Sequence, residues 1–143
     1  MKLLVIITLF CISAVMSGCA TTPKDAPPVL VPVASKFSTV PVPRSFSKVP
    51  DNTFTFDSSM LGVHLGSVSY QGRAALDQAI AFYKEQMPKY NWVLTNSIEY
   101  GNVMLTFSSQ NELCMVNLNE NGGLVTVDIK LAPKPQKVLE KLQ

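Results

Sequence analysis

The sequence predicts an α+β fold: a single antiparallel β-sheet with one helix packed on a face, in the chain order β-β-α-β-β-β-β. Three observations carry this. Downstream of Thr53 the apolar residues fall in short alternating runs, the period of half-buried strands. One segment, from Arg73 to Met87, switches to helical spacing. Turn-forming residues punctuate the rest, at Gly101, at Ser109-Gln110-Asn111 and at Asn121-Gly122-Gly123.

The first strand is expected at Thr53-Phe54-Thr55-Phe56-Asp57, where the two Phe share one face. The second is Leu61 to Tyr70, whose apolar positions change parity between Leu65 and Val68. Because a one-residue slip turns every later side chain to the other face, a β-bulge is expected near Gly66-Ser67. Gln71-Gly72 then ends the strand. The helix carries Leu76, Ile80, Tyr83 and Met87 on one side, with Asp77, Lys84 and Glu85 on the other, and stops before Pro88. It lacks the Lys/Arg-rich polar face of a membrane-surface helix, so it is expected to pack on the sheet. Four strands follow as a meander: Trp92 to Tyr100, Asn102 to Ser109, Glu112 to Asn119 and Leu124 to Leu131. In the last, Val125, Val127, Ile129 and Leu131 alternate with Thr126, Asp128 and Lys130, and Asn-Gly ahead of it suits a tight hairpin turn.

Upstream the composition changes. Residues 20 to 52 hold seven of the ten prolines and few large apolar side chains. Pro-rich chains favour polyproline II at roughly 3.1 Å per residue, so residues 19–52 read as a tether able to span on the order of 100 Å. Its second half, Val40 to Phe46, has an alternative reading as a segment lying on the domain surface with Phe46 as a plug. Residues 53–132 are then the domain and residues 133–143 a flexible tail, in which Val138, Leu139 and Leu142 could form a short helical stripe for a partner.

The start of the chain reads as a targeting segment. Met1-Lys2 gives a positive start and Leu3 to Val15 is almost wholly apolar, broken by Thr8, Cys11 and Ser13. A run of about 13 residues is short of the roughly 20 that span a bilayer as a helix. The four residues after it, Met16-Ser17-Gly18-Cys19, resemble the lipobox of bacterial lipoproteins, with Met in place of the usual Leu. The resemblance implies that residues 1–18 are a lipoprotein signal peptide cut between Gly18 and Cys19. It implies that Cys19 carries a diacylglycerol thioether, with a third acyl chain on its amine in many Gram-negative species. Two or three chains anchor stably where one does not. Ala20 stands where the family's sorting rules place Asp for inner-membrane retention, which implies the outer membrane, facing the periplasm. The other reading of this segment is an ordinary secretory signal or an uncleaved anchor.

A second resemblance rests on Tyr70-Gln71-Gly72, Phe82-Tyr83, Met87-Pro88 and Trp92 followed by a run of strands. It is to a group of small lipobox proteins of unknown function in Gram-negative bacteria and covers roughly residues 40 to 132. Asn91 stands where that pattern has Gly. The resemblance implies the fold and adds no activity.

Chemistry-bearing residues are few. Of the three cysteines, Cys11 leaves with the signal peptide and Cys19 takes lipid, so Cys114 has no intramolecular partner; within Leu113-Cys114-Met115-Val116 it reads as a small buried hydrophobe. The single histidine, His64, has no second His and no Cys at ligand spacing, so no metal site and no cofactor is expected. Asp57 and His64 could meet across the first hairpin near Ser58, Ser59 or Ser67, but no Gly-x-Ser-x-Gly elbow supports a catalytic set. Gly122-Gly123 lacks the Lys and helix of a phosphate loop. Removing Lys2 leaves 11 basic against 10 acidic residues, a balance that argues against nucleic acid. Trp92 and Tyr83 are expected in the core, and Tyr90, Tyr100 and His64 as a surface patch. The expectation is a non-enzymatic, membrane-anchored envelope lipoprotein that binds another envelope protein or serves assembly, with edge strands open to β-augmentation. The alternative is a small-ligand or glycan-binding periplasmic module, marked by a concave face exposing Tyr90, Tyr100 or His64.

Overall fold

The structure is a computed structural model, which describes residues 29–58 and 63–134, with the side chains of Asp57, Ser58, Val63 and His64 outside that description. Strands β3 (Ser47–Ser58), β4 (Val63–Arg73), β5 (Val93–Tyr100), β6 (Asn102–Ser108), β7 (Glu112–Asn121) and β8 (Leu124–Pro133) form one six-stranded antiparallel sheet in the order β3-β4-β8-β7-β6-β5. Helix α1 (Leu76–Gln86) and a 3₁₀ turn (Met87–Tyr90) carry the chain from β4 to the far edge at β5. The meander β5-β6-β7-β8 then returns until β8 lies against β4.

Alternation builds the core. Val103, Leu105 and Phe107 of β6, Cys114, Val116 and Leu118 of β7, Val125, Val127, Ile129 and Leu131 of β8, and Val68 and Tyr70 of β4 are all buried on one face. Ala79, Ile80, Phe82 and Tyr83 of α1, with Met87 and Trp92, close over it. The hairpin between β7 and β8 is tight because Gly122 and Gly123 both have positive φ, 60° and 76°, the conformation a two-residue primed turn requires. Asn91, at φ 64° and ψ 28°, ends the 3₁₀ turn in the left-handed region, which explains why a Gly-like position holds Asn: it is the side chain that tolerates this conformation best.

The expected single sheet is corrected by a second one. Short strands β1 (Pro32–Ala34) and β2 (Pro41–Pro43) pair antiparallel, and Phe37, Val40, Val42 and Phe46 are buried in the same core. The tether reading of residues 19–52 therefore fails over its second half, and the packed unit begins upstream of residue 53. The physical reason is coverage. Six strands about 4.8 Å apart span roughly 24 Å between outer axes, while an 11-residue helix is about 16 Å long and about 10 Å wide. The N-terminal segment fills what α1 leaves open. Prolines are tolerated there because both strands of the ribbon are edges. Two anchors lock it to the domain: the Trp92 indole N–H donates to the Thr39 carbonyl at 2.8 Å, and the Lys36 N–H donates to the Tyr70 hydroxyl at 2.7 Å.

Three smaller expectations also change. The first long strand starts at Ser47; the β3–β4 pairing is irregular beside Gly66-Ser67 as expected, between Ser67 and Ser69, but the extra residues belong to β3, between Val49 and Phe54. The β4–β8 register runs unbroken from Gly66 to Arg73. The parity change was Leu65, which sits opposite Phe56 on the helix-free face while residues 66, 68, 70 and 72 face the core. Gly72 does not end the strand. A Cβ there would meet the Phe46 ring at 2.3 to 2.7 Å, so the glycine is the seat of that ring. The helix begins at Leu76 rather than Arg73. Pro133 ends β8, and the Lys134 N–H beyond it donates to the Asn111 carbonyl at 2.8 Å; the rest of the 133–143 tail lies outside the described residues.

Candidate functional site

The sheet has two edges, and they differ. β3 carries Lys48, Pro50 and Asp51, and its pairing is interrupted between Val49 and Phe54. Charge, proline and irregularity are the devices that stop an edge from taking another strand. Over residues 96–100 β5 carries no proline and no irregularity, and its one charge, Glu99, is paired with Lys84 of the helix. All eight of its residues are exposed, Ile98 by 45% and Tyr100 by 93%.

The geometry of β5 follows from its partner. Its one register shift lies between Leu94 and Asn96, so Asn96 to Tyr100 pair regularly with Thr106 to Asn102. Core residues Val103 and Leu105 pair with Glu99 and Ser97, which places those two on the helix side. Asn96, Ile98 and Tyr100 therefore share the helix-free face. On the helix side the Lys84 ammonium reaches Glu99 at 2.5 Å, and the Ser97 hydroxyl donates to the same carboxylate oxygen. The hydrogen bond from Lys84, then that from Ser97, holds the Glu99 carboxyl below its ordinary range. The local charge is thus paired within the molecule.

Beside β5 the helix-free face holds a shallow cleft of about 440 Å³, lined by Ile98, Met104, Asn117, Asn119 and Asp128 among others. Next to it, Asp128 accepts a hydrogen bond from the Ser69 hydroxyl, and Gln71 donates to Thr126 at 3.1 Å. This face is polar at its centre and apolar toward β3, where Phe54 and Phe56 stand 61% and 52% exposed with Leu65.

The expected patch of Tyr90, Tyr100 and His64 is not one surface. Tyr90 is half-buried before β5, in a separate cleft with Thr39, Asn91 and the Ser109–Glu112 turn, whereas Tyr100 ends β5 about 24 Å along the strand. His64, on β4, pairs with Asp57 of β3, four strand positions or about 19 Å across the sheet from β5, and its side chain lies outside the described residues. Ser67 pairs with Phe54, on the helix-free face. Gly18 and Cys19 also lie outside the described residues. Trp92 and Tyr83 are in the core. Cys114 is fully buried, and burial, aided by Glu112, pushes its thiol up to about 12. The Tyr83 hydroxyl is raised well above its ordinary value by burial and then by Cys114 and Tyr70. Among the described residues no group of three His, Cys, Asp or Glu side chains is placed to hold a metal ion, and no helix is long and apolar enough to cross a membrane.

Ile98 was absent from the sequence-derived site. Its only signal was negative: a predicted strand without Lys or Pro, which matters only once topology puts that strand at an edge. No protein-family model, curated protein or solved structure matches the chain.

Proposed function

We propose that this protein is a non-enzymatic lipoprotein of the Gram-negative envelope, anchored through lipid on Cys19 at the outer membrane and facing the periplasm, and that its domain docks another protein by accepting a strand on β5. The Met16-Ser17-Gly18-Cys19 motif supports the anchor. The observation that carries the docking reading is the contrast between an interrupted, charged β3 edge and an open β5 edge. Main-chain hydrogen bonds give such an edge its affinity, and pockets for alternate side chains give it selectivity; the cleft beside Ile98 offers one such pocket.

Two variants test the two halves. Cys19→Ser should abolish labelling by a radiolabelled fatty acid and leave unprocessed precursor; continued labelling refutes the anchor. Ile98→Lys places a charge on an exposed edge without touching the core, so in-cell cross-linking should lose its partner while thermal stability holds. Unchanged cross-linking refutes docking at β5. A second reading, binding of a glycan or other small polar ligand, is favoured by Tyr100 exposed beside the Asn117, Asn119 and Asp128 cleft.

A further inference from the structure

Which strand would β5 take? We infer that it is β5 of a second copy of this chain, paired antiparallel about a two-fold axis at Ile98, so that two sheets join into one. The inference rests on the reading that this edge accepts a strand and adds the identity of that strand.

Self-pairing requires the same residues to suit both sides of the dyad. With the axis at Ile98, the regular segment 96–100 matches itself: Ile98 meets Ile98 of the second copy, Asn96 meets Tyr100, and Ser97 meets Glu99. Ile98, 45% exposed, gains an apolar neighbour on the helix-free face. The Asn96 amide comes beside a phenol, and the Tyr100 ring, 93% exposed, is covered in part. On the helix side Glu99, the one charge in the segment, lies opposite a serine hydroxyl and stays neutralised by Lys84 of its own copy. An axis at Glu99 would set carboxylate against carboxylate, and an axis at Ser97 would pair Glu99 with Thr95, inside the register shift. Charge and register together therefore select Ile98. A formal charge of +2 on the whole chain opposes the approach of two copies only weakly.

The test uses site-directed disulfides in the purified full-length chain. Residues facing each other in an antiparallel pair have Cα atoms about 4.5 or 5.5 Å apart, within the disulfide range of about 4.4–6.8 Å. Ile98→Cys should thus form a covalent dimer under copper-phenanthroline oxidation. Asn96→Cys should not, since position 96 and its own copy would be about 14 Å apart. Mixing Asn96→Cys with Tyr100→Cys should restore the dimer. At least about ten-fold more dimer from Ile98→Cys than from Asn96→Cys or the parent chain is the expected result. Equal yields, or none from Ile98→Cys, overturn the pairing. A photo-cross-linking amino acid at position 98 in living cells separates the two levels: a product of twice the chain mass supports self-pairing. Capture of a different protein overturns self-pairing while leaving β5 a docking edge. No product overturns both.

Discussion

Replacing Gly72 with alanine tests whether the proline-rich segment belongs to the core. The added Cβ would stand 2.3 Å from Phe46 Cδ1 and 2.7 Å from its Cγ and Cε1, where carbon atoms need about 3.5 Å. The ring must retreat by about 1.2 Å or leave its seat. Retreat inside a filled core costs about 1–3 kcal/mol. Expulsion of a Phe that is 7% exposed forfeits about 1.5–3 kcal/mol of burial. Alanine recovers about 0.4–1 kcal/mol by restricting the unfolded chain, since Gly72 is not among the positive-φ glycines. The net loss is about 1–2 kcal/mol, which in a domain of this size lowers Tm by roughly 5–15 °C.

A double-mutant cycle sharpens the result. Phe46→Ala alone should cost about 3–5 kcal/mol. In that background Gly72→Ala has no ring to strike and should become neutral or mildly stabilising, giving a favourable coupling of about 2 kcal/mol between the two sites. Thermal melts followed by the single tryptophan, Trp92, read this directly, because its indole bonds Thr39 in the same segment. If Gly72→Ala leaves both the melt and the Trp92 emission unchanged, Phe46 is not seated there and the coverage argument is wrong.

Asn91 should tolerate glycine without loss of Tm, whereas Asn91→Val should cost about 1–2 kcal/mol by forcing a β-branched residue to φ 64°. Alkaline stability follows from Cys114. The unfolded chain releases a thiol proton near its ordinary value of about 8.5, while the folded chain holds it until about 12, so stability is full below pH 8.5 and falls as pH rises between those values. Melts between pH 8 and 11 should show this decline, and Cys114→Ala should flatten it; an equal slope in the variant would locate the effect elsewhere.

Local signals reached the helix and the strands. Leu76, Ile80, Tyr83 and Met87 at helical spacing and the alternation from Val125 to Leu131 carry their packing in their own period, which is why the helix and β8 matched expectation apart from their ends. The N-terminal segment was legible only as an alternative, Val40 to Phe46 lying on the domain with Phe46 as a plug, for a different reason. Val40 and Val42 sit between prolines that signal a tether, and their burial depends on the area that α1 leaves uncovered, a property of the assembled layers. Leu65 misled in the same way: an apolar residue on the helix-free face is indistinguishable in sequence from a change of register. For the site, the placement of Tyr90 and Tyr100 near turns at either end of one strand was legible in the sequence, but that Ile98 lies on an edge, and that His64 lies four strands away, required the strand order.

Seating residues 32–46 in the domain also changes what the anchor can do. As a tether, the whole stretch to residue 52 would have reached on the order of 100 Å. With β1 starting at Pro32, thirteen chain steps separate the first strand from Cys19, a reach of at most roughly 40 Å at the polyproline II rise. On the proposed anchor the domain is then held close to the lipid surface, and a strand presented at β5 has to come from something in the same layer. A second anchored copy meets that condition by construction, whereas a partner fixed across the periplasm does not. Inserting about twenty Gly/Ser residues after Ala20 would relax the restriction, and in-cell cross-linking at position 98 should then include partners farther from the membrane. An unchanged cross-linking pattern would show that edge complementarity, rather than reach, selects the strand.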